Sequence, residues 1–176
     1  MVDHLARAAR DGDVTGAAQF LAAGTEVDAP GSTGRTALDL AVHAGHAGTV
    51  RVLLAAGADP RQQAGQYGES TPLCLAVMHG YTAVAEVLLQ AGAPTGAQGR
   101  MSYVPLVLAA TPAEHGHPPS VDLLLRHGAD INGVMKGKTP LEWAATFGQA
   151  RMVQHLLTRG AIPTASPEVR YQQRRR

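Results

Sequence analysis

Aromatic side chains are scarce in this chain, at 4% of 176 residues, and so is charge, at 16% with a formal net charge of +1. A β-sandwich or barrel needs β-branched and aromatic residues on alternating positions, so the shortage of rings argues against that class. The near-zero net charge argues against bulk attraction to nucleic acid or to a membrane surface. A lone cysteine, Cys74, excludes an intramolecular disulfide and a cysteine-cluster zinc site and fits a reducing compartment. No stretch approaches the ~20 apolar residues of a spanning helix and no signal-peptide apolar region opens the chain, so the expected location is the cytoplasm, with no membrane partner. Also missing are Gly-x-Gly-x-x-Gly, a phosphate loop ending in Gly-Lys-Ser/Thr, His-Glu-x-x-His and Gly-x-Ser-x-Gly. Neither an enzyme nor a cofactor is needed to explain any residue pattern.

What is present is small and apolar. The chain is 45% hydrophobic with 20 glycines, a composition that suits short, closely packed helices in a domain of ordinary size. Self-similarity then organises it. Thr36-Ala-Leu-Asp-Leu-Ala41 recurs as Thr71-Pro-Leu-Cys-Leu-Ala76, Val104-Pro-Leu-Val-Leu-Ala109 and Thr139-Pro-Leu-Glu-Trp-Ala144, with starts 35, 33 and 35 residues apart. A second motif follows each: Leu53-Leu54-x-x-Gly57-Ala58, Leu88-Leu89-x-x-Gly92-Ala93, Leu124-Leu125-x-x-Gly128-Ala129 and Leu156-Leu157-x-x-Gly160-Ala161. Phe20-Leu21-x-x-Gly24 is a fifth copy without its leading motif. The first motif reads as a helix start, with Thr36, Thr71 and Thr139 as caps and Pro72, Pro105 and Pro140 at the first helical position. Gly45, Gly80, Gly116 and Gly148 break that helix, and a second helix ends at Gly57, Gly92, Gly128 or Gly160 in a left-handed cap. The turn-rich connections between copies read as loops or hairpins. Thr111–Pro119 carries three extra residues between the two helices of its copy, with Pro119 suited to start the second helix and the bulge expected to be local.

These two motifs in fixed order resemble the ankyrin repeat over about residues 3 to 163. The resemblance implies an all-α solenoid of paired antiparallel helices with hairpin loops, a single domain at 1–165. Its repeats fall near 1–30, 31–65, 66–99, 100–133 and 134–165, and a basic, disordered tail follows at 166–176. Polar residues at both ends (Arg7, Arg10, Asp11 and Asp13; Arg151, Gln154, Thr158 and Arg159) fit a complete array. The histidine that follows Thr-Pro-Leu in the family is replaced by Asp39, Cys74, Val107 and Glu142, which leaves its hydrogen bonds open. Thirteen arginines against two lysines point to a GC-rich, bacterial genome.

Ankyrin proteins bind partners on the concave side made by hairpin tips and the exposed face of each first helix. Carried over, that surface includes Tyr67, Met78, His79, Arg100, Met101, Tyr103, Lys136, Lys138 and Phe147, in repeats three to five, where large flat side chains gather beside basic ones. Arg35, His43, Ala44, Ser70, Thr111 and Thr146 belong to the same surface, and Trp143 and Met78 can equally fill gaps between helices. The expected function is non-enzymatic recognition of another protein by a monomer. The rival is a small-molecule or catalytic pocket walled by the 111–119 insertion, lined by Tyr103, Trp143 and Phe147, with His79, Glu142 or His115 as acid–base groups. His43 with His46, and His115 with His117, offer no evident tetrahedral zinc spacing; His46 and His117 follow the inter-helix glycine, a structural position in the family. Cys74 reads as an inert core residue. The four tail arginines, without a basic fold surface, are weak evidence for nucleic acid.

Overall fold

The computed structural model describes residues 1–64, 70–99, 101–111 and 116–163. Ten helices lie among them: α1 (Val2–Asp11), α2 (Val14–Ala22), α3 (Ala37–His43), α4 (Ala47–Ala55), α5 (Pro72–Met78), α6 (Thr82–Gln90), α7 (Pro105–Ala110), α8 (Pro118–Arg126), α9 (Pro140–Thr146) and α10 (Ala150–Thr158). Helices of six to ten residues are too short to stand alone in water, so their stability comes from packing. Odd-numbered helices pack side by side in one layer, α1 on α3, α3 on α5, α5 on α7 and α7 on α9. Even-numbered helices form a second layer, α2 on α4, α4 on α6 and α6 on α8. The protein is therefore an all-α stack of helix pairs, and the connections between pairs form isolated antiparallel bridges, Ala64 with Ser70, Gln98 with Tyr103 and Met135 with Lys138.

Both sequence motifs resolve into hydrogen bonds. The hydroxyls of Thr36, Thr71 and Thr139 accept from the backbone N–H three residues on, and Pro72, Pro105 and Pro140 open their helices as expected. In Leu-Leu-x-x-Gly-Ala, the Ala58 N–H donates to Leu53 O at 3.0 Å and the Gly57 N–H to Leu54 O at 3.0 Å. This paired closure of a helix end recurs at Gly92, Gly128 and Gly160. It explains the spacing: the first leucine and the alanine, both buried, are the hydrophobic contact that accompanies the cap. Leu53, Leu88, Leu124 and Leu156 are fully buried, and each contributes about 1.5–3 kcal/mol by leaving water.

The first helix of a pair ends the same way, with one addition. Gly80 has φ +70°, and the ring of His117 from the next pair lies so close that a Cβ on Gly80 would sit 2.5 Å from its Nδ1. His46 lies against Gly12 and Tyr81 against Gly45 in the same manner, and in the last pair Met152 reaches Gly116. Rings after the inter-helix glycines therefore join neighbouring repeats. The insertion leaves this arrangement intact: the His117 N–H donates to Ala109 O at 2.8 Å, the counterpart of His46 N–H to Ala41 O at 3.0 Å. Helix α8 opens one residue earlier than the sequence suggested, at Pro118, while residues 112–115 of the 111–119 segment lie outside those described.

Candidate functional site

Helices α3, α5, α7 and α9 stand in one row, and a bridged hairpin leads into the N-terminal end of each of α5, α7 and α9. Met78, the last residue of α5, is 38% exposed. His79 caps that helix and stacks on Tyr81 at 5.5 Å between ring centroids, with the His43 ring edge-on at 5.8 Å. Partial desolvation, then the neighbouring His43 and His117, hold the His79 imidazole below its ordinary pKa. Met101 is 46% exposed on the hairpin that leads into α7, and Tyr103 is half-buried against the core with its backbone bridged to Gln98. Tyr67 and Arg100 lie outside the described residues, as do His115 and the tail.

The fifth pair carries an exposed apolar ring. Phe147 is 58% exposed and stacks on Trp143, with centroids 5.8 Å apart and planes 16° from parallel. Trp143 is half-buried and donates its Nε1–H to Met135 O at 3.0 Å, which fixes the ring to the hairpin. Lys138 Nζ sits 5.0 Å from the Trp143 centroid and donates to Thr146 Oγ1 at 3.0 Å. Lys136 is exposed at the hairpin tip. Trp143 thus does both things the sequence allowed, packing on the core and carrying the exposed ring. The indole-to-hairpin bond has no sequence signal, since it joins residues eight apart through a turn.

The four positions that lack the family histidine are filled in different ways. Asp39 accepts from Arg35 Nε at 2.7 Å. Glu142 accepts from the Thr139 N–H at 2.7 Å and completes a capping box with that threonine. Cys74 is fully buried, its thiol directed to Tyr103 O at 3.9 Å, and burial pushes its pKa up, as suits an unreactive core residue. Val107 is simply core. The Arg35–Asp39 pair, at i and i+4, was legible in principle from spacing.

Among the described residues, no group of three histidine, cysteine or acidic side chains could hold a metal ion. His46 instead bonds Arg10 O through Nε2 at 3.1 Å, and His155 bonds Asp122 at 2.8 Å. One cleft of about 150 Å³ lies between α1 and the loop at Gly31–Thr33, where Asp3 accepts the Ser32 N–H at 2.7 Å and is held below the usual carboxylate pKa by that bond. An open cleft of about 380 Å³ lies beside α8, lined by Leu125, Arg126, Ile131 and Arg159. Neither is lined by Tyr103, Trp143 or Phe147. No helix among the described residues is long and apolar enough to cross a membrane.

A family model described as "Ankyrin repeats (3 copies)" matches residues 5–99 and 98–166. No curated protein matches the chain.

Proposed function

Because the chain belongs to the ankyrin-repeat family, whose members generally mediate protein–protein interaction, we propose that it is a non-enzymatic module that grips another protein along the hairpin and first-helix side of repeats three to five. The five repeats have boundaries near residues 30, 65, 99 and 133. One observation carries this reading: Met78, Met101 and Phe147 are large, apolar and exposed on that side, although the core beneath them is complete without them. An exposed thioether or ring costs solvation and contributes little to folding, and such residues are common anchors at interfaces. Rigid neighbouring repeats hold the anchors in place, so little conformational entropy is lost on docking. A monomer in the cytoplasm suits the single buried thiol.

The test is affinity capture from the native host with the wild-type chain and with Met78→Ala, Met101→Ala and Phe147→Ala, alone and combined. Each true anchor costs about 2 kcal/mol of affinity, roughly thirtyfold, while melting temperature stays within a few degrees. A triple variant that stays folded and still captures its partner places the contact elsewhere.

A further inference from the structure

The chain has thirteen arginines and two lysines, and both lysines sit on the hairpin that leads into α9. Met135 and Lys138 exchange two backbone hydrogen bonds, of 3.0 and 3.1 Å, around the two-residue turn Lys136-Gly137. The turn residues have φ of 48° and 81°. A turn with two positive φ values favours asparagine at its first position, because a long L side chain there is strained. Lys136 therefore stands at a site that local backbone preference does not favour, with its ammonium at the tip. Lys138 is held upright by a different device, the Trp143 ring on one side and Thr146 Oγ1 on the other. Phe147 lies one helical turn from Trp143, with its ring mostly open to solvent. One held cation, Lys138, and a second at the exposed hairpin tip, Lys136, thus belong to the same helix pair as the exposed Phe147 ring.

Building on the groove reading above, we propose that this corner receives an acidic segment of a partner protein, an apolar side chain lying on Phe147 and carboxylates meeting Lys136 and Lys138. Charge complementarity selects the occupant. A carboxylate satisfies an ammonium point charge at a partly desolvated site, and the apolar residue between carboxylates covers the ring. Single-stranded nucleic acid would also stack on rings, but two cations at this corner of a chain of net charge +1 supply too little phosphate attraction.

Short random peptides displayed on phage, selected on the full chain and on the Lys136→Glu, Lys138→Glu double variant, test this. Wild-type selection should enrich aspartate and glutamate beside leucine or phenylalanine. The winning peptides should bind the double variant at least about tenfold more weakly, and should weaken with salt. Lys136→Asn controls for folding: asparagine suits the turn, so the melting temperature should hold or rise while peptide affinity falls, and Lys136→Arg should retain binding. Winners without acidic residues, or winners indifferent to the lysines, overturn the proposal, as does oligothymidylate that binds more tightly than any peptide. Host-partner capture separates the two readings. Loss with Phe147→Ala but not with lysine reversal sinks the acidic segment and leaves the groove standing.

Discussion

The second and fifth repeats start from the same frame and use it differently. Each has a capping threonine, Thr36 or Thr139, an acid three residues on, and a basic residue just before the cap, Arg35 or Lys138. In the second repeat the guanidinium turns inward to Asp39, which is almost wholly buried, and the charge is spent on an internal pair. In the fifth, the acid is Glu142, whose longer side chain reaches back to the Thr139 N–H, while Lys138 lies over Trp143. Arginine's planar fork suits a buried carboxylate, and lysine's compact ammonium suits a ring face and an outside partner. A repeat frame therefore says where a side chain begins, and its neighbours decide whether it stabilises the stack or faces solvent.

The largest expected effect comes from disturbing the shared frame. Gly80→Ala places a Cβ in the His117 ring at a positive φ, and should cost about 3 kcal/mol. Gly92→Ala, also at positive φ but with nothing within 4 Å, should cost only about 1 kcal/mol. Urea denaturation of the two variants decides; equal losses would mean that the ring contact between repeats contributes nothing. Next comes the contrast itself. Asp39→Ala should destabilise by about 2 kcal/mol because it strands a half-buried guanidinium, whereas Lys138→Ala, beside solvent, should cost under about 1 kcal/mol. If the two costs match, the second and fifth repeats do not differ in the way described.

The smallest effect is a pH dependence between these repeats, at His79. Its folded pKa lies below the ordinary 6.5, so under acid conditions the unfolded chain binds a proton that the folded chain resists. The His79 contribution to stability is then independent of pH above about 6.5 and declines as pH falls through 6.5 toward the folded value. Melting curves across that window should slope less for His79→Gln than for the wild type. Identical slopes would show that partial burial, His43 and His117 leave the ring as free to protonate as in water.

The frame was legible because it is local. A threonine cap, a proline at the first helical position and Leu-Leu-x-x-Gly-Ala each act within six residues, through bonds that any chain with those residue types can make. Repetition at 33 to 35 residues then implied stacking, since one helix pair cannot bury its own apolar face. The surface was legible only as a set of candidates. Sequence placed Tyr103 and Phe147 on the same side, but could not say that Tyr103 packs on the core while Phe147 stands out on Trp143. Nor could it say that Arg35 is committed to Asp39, or that Lys136 is set in a left-handed turn. The sequence by itself determined the helix pairs, their caps and their order, because those depend on short-range bonds and periodic burial. Only the tertiary structure decided which rings and charges remain available, because that depends on contacts between neighbouring repeats and across turns, where a side chain's partner is set by geometry rather than by distance along the chain.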